Sequence, residues 1–398
     1  MEYRFSNKIA NLKPSAIREI LKAPSSPDTV SFAAGNPAPE SFPVDDMARI
    51  SADIYKNDAV TALQYSVTDG YAPLRQAIAE RQSRIFGIGG DDDSTIVVSG
   101  GQQGIELACK VFCNEGDVVV CEDPTFIGAL NSFRSNGARV VGVAMENDGM
   151  NTDELEAVLK STQNVKLIYT IPTFHNPMGV TTSSQKRKKI YELAKKYGVM
   201  ILEDNPYGEL RFSGEDIPTI KSMDTDGLVI YCSSFSKILS AGMRVGFVIA
   251  PSPVAAKMVV SKQTSDVHTN MFFQMLCHRY MTECDIDGHI DDIRALYRHK
   301  CALMLECLER EMPGSISFTR PEGGLFIWCT LPQNIDVDRF VREAAARGIR
   351  VVPGSTFLCD TEAKCNSFRL NYSMPSDEQI VRGISILGKL AREFEQKC

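Results

Sequence analysis

Three short polar clusters in this chain each follow a short apolar run. Lys166–Thr170 leads into Ile171-Pro-Thr-Phe-His175-Asn176-Pro-Met-Gly179, and Val199–Leu202 leads into Glu203-Asp204-Asn-Pro-Tyr207. Leu228–Cys232 leads into Ser233-Ser234-Phe-Ser236-Lys237, with Arg244 seven residues on. Singly these signals are weak: Ser-x-Ser-Lys occurs by chance, a lone lysine is usually a solvated surface charge, and Asn-Pro-x-Gly is first of all a turn. Together they supply an amine nucleophile, a carboxylate, a phenol, an amide, paired hydroxyls and an arginine. Amine nucleophiles attack carbonyls, and arginine with hydroxyls suits a phosphate.

One cofactor requires this whole set. Pyridoxal phosphate needs an amine for its aldehyde, and Lys237 would supply it and could later shuttle a proton at the substrate carbon. Its ring nitrogen must stay protonated to act as an electron sink, which a nearby carboxylate, Asp204, enforces. Asn176 and Tyr207 could hydrogen-bond the ring oxygen. Ser234, Ser236 and Arg244 would meet the phosphate. A second donor set, Ser99-Gly100-Gly101-Gln102, reads as a turn opening a helix, where free N–H groups and the helix dipole favour anions.

The elements that must position these groups alternate regularly. Helical apolar spacing over 101–113, 125–135, 152–161 and 183–197 alternates with strand-like runs at Val118–Cys121, Arg139–Val143, Val165–Thr170 and Val199–Leu202. Leu228–Cys232 and Val245–Ala250 are two further such runs. This predicts an α/β fold, a mostly parallel sheet sandwiched by helices, with ligands beyond the carboxyl ends of the strands. After about residue 252 come two helical segments and a long charged helix near 287–311. Strands at 315–318, 325–331, 349–352 and 367–371, a helix near 336–347 and a closing helix follow, as in a smaller α+β domain. The boundaries expected are 45–285 for a large cofactor-binding domain, and 1–44 with 286–398 for the small domain and N-terminal segment.

Composition excludes several classes. Of 398 residues 43% are hydrophobic, and the net charge is −7 with mixed signs, so no nucleic-acid footprint or polybasic membrane patch is expected. Neither a signal peptide nor a membrane-spanning run is read, which points to the cytoplasm. Cys109, Cys113, Cys121, Cys232, Cys277 and Cys329 lie in apolar runs and read as reduced thiols; no metal site is expected. Gly87-Ile-Gly-Gly90 follows a helix and runs into acidic residues, the wrong context for a dinucleotide.

Over nearly its whole length the chain resembles the fold-type I, class I/II aminotransferases, closest to the 2-aminoadipate/kynurenine branch. The resemblance lies in Ser31–Pro37, Tyr65–Gly70 with Leu74-Arg75, Ser99–Gln103, Glu122–Phe126, Asn176–Gly179, Glu203–Tyr207 and Ser234–Lys237 through Arg244. It continues in Gly323–Trp328, Pro353–Phe357 and Phe368–Tyr372. It implies Lys237 as the imine lysine, Asp204 on the pyridinium nitrogen, and Asn176 and Tyr207 on the ring oxygen. Gly101, Gln102, Ser234, Ser236 and Arg244 would hold the phosphate, and Phe126 would stack on the ring without the hydroxyl of the usual tyrosine. Gly101 stands where many members have Ser or Ala. Tyr65 is expected to reach the phosphate of a second copy, which implies a homodimer with shared sites.

The same resemblance has Arg369 grip the substrate α-carboxylate, with Gly35 beside it. Substrates would be an amino acid and a 2-oxo acid, with glutamate and 2-oxoglutarate as one pair. Pro14–Leu21 reads as an amphipathic helix closing over the substrate, so Arg18 could meet a distal carboxylate; a surface arginine paired with a glutamate is an equal reading. His175 stands where Asn or Gln is common, and either lines the pocket or packs in its turn. Two alternatives share the fold: a β-lyase or decarboxylase, and the effector domain of a transcription regulator. The second lacks a preceding helix-turn-helix pattern.

Overall fold

The computed structural model describes residues 3–10, 12, 14, 19–20 and 28–397. Short Val- and Ile-rich runs become strands because their residues are apolar on both faces. After β1 (Val30–Ser31) come β2 (Asp93–Val98), β3 (Val118–Asp123), β4 (Arg139–Glu146), β5 (Gly149–Met150) and β6 (Val165–Thr170). β7 (Met200–Asp204), β8 (Val229–Ser234) and β9 (Gly246–Pro251) complete a sheet of order β2-β9-β8-β7-β6-β3-β4-β5.

Adjacent residues of one strand feed different cores. Val119, Cys121, Leu167, Tyr169, Leu202 and Cys232 belong to the larger apolar cluster. Val118, Val120, Ile168, Ile201 and Val229 belong to another. That alternation is the mark of a sheet covered on both faces. Helix ends follow local chemistry: Asn151 and Ser183 cap the helices Thr152–Ser161 and Ser184–Tyr197, and Gly198 leaves the second at φ 65.

Strand direction decides where the chemistry can sit. β4, β3, β6, β7 and β8 run parallel, whereas β9 is antiparallel to both β8 and β2. β2 therefore points the same way as β8. The segments after β2, β3, β6, β7 and β8 all emerge at one edge, and β9 starts there.

A second sheet of β10 (Ser317–Phe318), β11 (Phe326–Thr330), β13 (Val352–Pro353) and β14 (Ser367–Asn371) is antiparallel, in the order β10-β11-β14-β13. The single strand expected over 349–352 is two. β12 (Ile349–Arg350) pairs in parallel with β1, and only then does β13 join β14. The run changes partners midway, which a stretch of apolar residues does not reveal. β2 and the helices Val44–Asn57 and Ala72–Phe86 are further elements not singled out from the sequence. Of Pro14–Leu21 only Pro14, Glu19 and Ile20 are described, so the role suggested for Arg18 lies outside the described residues. No helix among the described residues is long and apolar enough to cross a membrane.

Candidate active site

Asp204 ends β7 fully enclosed, and its Oδ2 accepts a hydrogen bond from Tyr169 Oη on neighbouring β6 at 2.8 Å. Burial pushes its carboxyl up to about 7; the Tyr169 bond opposes the rise and the charge of Glu122 on β3 adds to it. Glu122 is itself buried, accepting from Thr170 Oγ1 at 2.6 Å and Ile171 N at 2.8 Å. His175 Nε2 lies 3.1 Å from Glu122 Oε2 but off the hydrogen-bonding direction. With Gly179 N donating to its carbonyl at 2.6 Å and no exposed surface, His175 is a packed turn residue.

Lys237 follows β8. Its Nζ donates to Gly35 O at 2.6 Å. Burial lowers its pKa to about 8, helped by the positive charges of Arg369 and Arg244. Arg369 stands on β14, opposite Trp328 of β11. Its Nη1 donates to Asn176 Oδ1 and its Nη2 to Ala33 O, both at 2.7 Å, while buried Nε has no partner among the described residues. The guanidinium carbon lies 4.1 Å from the Phe326 ring centre and 4.9 Å from that of Phe357. Burial lowers even this group, to about 10. Tyr207 is buried after β7, edge-on to Phe326 at 6.0 Å, and burial pushes its phenol up.

A second cluster forms where β8 ends and β9 begins. Ser234 Oγ donates to Ser236 Oγ at 2.7 Å. Arg244, in the left-handed region at φ 56, sends Nη1 toward Ser236 Oγ at 3.4 Å and Nη2 toward Ser99 O at 3.4 Å. The helix Gly101–Phe112 starts here with no side-chain cap. Gly100, at φ 79, lets Arg244 approach: a Cβ there would fall 2.7 Å from the guanidinium carbon. Gln102 Nε2 donates to Gly128 O at 2.8 Å and Ser132 Oγ at 2.7 Å, with the Phe126 ring also crowding Gly128. Tyr65 stands elsewhere on the surface, 82% exposed and edge-on to His268 at 5.9 Å.

The charges here are unbalanced. Among the described residues Lys237, Arg244 and Arg369 meet carbonyl, hydroxyl and amide oxygens but no carboxylate, and Asp204 meets a phenol but no cation. Arg244 is exposed, but Asp204 and Arg369 are buried, and buried charges are seldom left so. A ligand with a cationic ring, an anionic tail and a separate carboxylate would complete the set, and pyridoxal phosphate with an amino acid has that distribution.

The aminotransferase class I and II family model matches residues 27–387. The chain belongs to this family. Aromatic-amino-acid aminotransferase 1 of Thermococcus litoralis is 40% identical, over 100% of this chain and 96% of that one. A Pyrococcus horikoshii kynurenine aminotransferase solved in complex with PMP superposes with a TM-score of 0.94, at 38% identity, over 98% and 97% of the two chains. The alpha-aminoadipate aminotransferase of Thermus thermophilus, complexed with N-(5'-phosphopyridoxyl)-L-leucine, gives 0.91 at 35% identity, over 99% and 98%. The protein is an aminotransferase that uses pyridoxal phosphate and acts on amino acids and 2-oxo acids.

Four residues of this candidate site were given no role from the sequence. Tyr169 lies in the strand Val165–Thr170, and its only hint is a phenol that needs a partner when buried. Glu122 read as part of a motif without a role. Phe326 and Phe357 come from the second sheet and the turn that follows β13, and no spacing along the chain foretells that their rings meet Arg369.

Proposed function

We propose that this aminotransferase binds its cofactor through Lys237 and Asp204 and takes glutamate and 2-oxoglutarate as one substrate pair. The unbalanced charge set is the observation that supports this reading. Asp204, with Tyr169 fixing its orientation, would sit against the ring nitrogen and keep a proton there. Ser234, Ser236, Arg244 and the N–H groups of Gly101 and Gln102 would hold the phosphate. Asn176 and Tyr207 would bond the ring oxygen, and Phe126 would cover one ring face.

When bound, the cofactor's protonated ring withdraws electrons released at the substrate Cα. Arg369 receives the substrate carboxylate on its unpartnered Nε edge, while Asn176 and Ala33 O keep the guanidinium plane from rotating. The Phe326 and Phe357 rings exclude water around that ion pair, which strengthens it. Lys237 Nζ, with its pKa lowered to about 8, can both take a proton from Cα and return one. Gly35 O orients the amine. Ala33, Trp328, Val352 and Phe357 form an apolar cluster beside Arg369, joined by Ile20, Ile127 and Met178.

The working unit is proposed to be a homodimer, with Tyr65 reaching the phosphate of the other copy. Val60, Leu63 and Tyr65 are 81%, 72% and 82% exposed, an apolar surface that a second copy would cover. The large sheet lies wholly between residues 93 and 251 and the antiparallel sheet between 317 and 371, which supports domains at 45–285 and at 1–44 with 286–398.

The test is a half-reaction. Glutamate added to the loaded protein without an acceptor should release 2-oxoglutarate and no ammonia. Ammonia and pyruvate from a β-substituted amino acid, with no 2-oxoglutarate from glutamate, would overturn the proposed substrate pair.

A further inference from the structure

The turn Ser99–Gly101 is held on both sides. Arg244 lies against Gly100 and donates to Ser99 O at 3.4 Å. From the other direction Ser99 Oγ donates to Asp266 Oδ2 at 2.6 Å and lies 3.1 Å from Thr269 Oγ1. Ser99 N donates to Gln103 Oε1 at 2.7 Å. Asp266 in turn receives Lys262 Nζ on both oxygens, at 2.7 and 2.9 Å.

Two features of this cluster are costly. Lys262 has no exposed surface, and burying an ammonium is only partly offset by a single carboxylate. Its pKa falls because of burial despite the pairing. Val267, next to Asp266, sits at φ 65. A β-branched residue is a true outlier in that region, at about 1–3 kcal/mol. Beside both features the Asp266 carboxylate bonds the Ser99 hydroxyl.

A carboxylate so near a phosphate-binding turn would repel the anion if it stood alone. Lys262 neutralises it, so the pair can orient the turn without opposing the ligand's charge. We propose that Asp266, backed by Lys262, is a positioning residue that acts through the Ser99 hydroxyl to fix the Ser99–Gly101 turn so that the N–H groups of Gly101 and Gln102 face the cofactor's phosphate. This rests on the reading that the turn and Arg244 bind that phosphate. Fixing both ends of Ser99 in advance removes an ordering cost from binding.

Ser99→Ala deletes the hydroxyl and leaves the Lys262–Asp266 pair intact; Ser99→Thr keeps a hydroxyl. Dissociation constants for pyridoxal phosphate and for competing inorganic phosphate are measured on the cofactor-free full chain, with its melting temperature alongside. If the freed turn is competent about one time in ten, Ser99→Ala weakens both ligands about tenfold, and Ser99→Thr restores most of the loss. A lower melting temperature with both dissociation constants unchanged means a purely structural clamp and overturns the proposal. Arg244→Gln is the control for the underlying reading: if it leaves both affinities intact, the phosphate does not bind here, whatever Ser99 does.

Discussion

Asp204→Asn isolates the cost of the buried carboxylate. In the cofactor-free protein burial lifts Asp204 from 3.8 to about 7. At about 1.4 kcal/mol per pH unit that is about 4 kcal/mol. Because the folded value lies above the unfolded one, the native state carries an extra proton between roughly pH 4 and 7 and loses stability as pH rises through that window. Above it the whole penalty is present. Asparagine has nearly the same shape and can still accept from Tyr169 Oη, so the variant escapes the penalty without opening a cavity. Urea unfolding of both cofactor-free proteins, followed as the difference in midpoint at constant slope, cancels every other titrating group. The two should be similar near pH 4, with the variant more stable by up to about 4 kcal/mol above pH 7. Adding cofactor should reverse the order, since the ring nitrogen then supplies the missing positive charge. A difference that does not change with pH would refute the reasoning.

Other outcomes follow from the same geometry. Below pH 8 the rate of cofactor uptake by the cofactor-free protein should climb about tenfold per pH unit and then level off, because only neutral Lys237 attacks and its pKa is lowered to about 8; stopped-flow absorbance reads this, and a flat profile contradicts it. Arg369→Lys should raise KM for both substrates about a hundredfold while the cofactor dissociation constant stays put, since a lysine cannot stack on Phe326 and Phe357 or present a planar edge; an unchanged KM counts against it. Gly100→Ala should weaken cofactor binding, because φ 79 and the nearby Arg244 guanidinium leave no room for a methyl group; fluorescence titration measures the change, and wild-type affinity would show that the turn can yield.

Much of this was legible in the sequence for a physical reason. The strands Val165–Thr170, Met200–Asp204 and Val229–Ser234 are largely buried, so most of their residues are apolar, and the chain changes character where they meet the ligand edge. Lys237, Asp204 and Asn176 stand at those changes. The roles of Phe326, Phe357 and Asp266 were not legible, because they arrive from elements distant in the chain and their types are ordinary for a core or a helix end. Tyr65 illustrates another limit: its expected role requires a second copy, and within one chain it is only an exposed aromatic against His268. The split of 349–352 between β12 and β13 depends on which neighbours each half finds.

The most direct test is chemical. The loaded protein is reduced with borohydride, digested, and its peptides are weighed. The expected result is one phosphopyridoxyl group, on Nζ of residue 237, lost when Lys237 is replaced by alanine. A label on a different lysine, or none on a protein that still transfers amino groups, would contradict the assignment of this site.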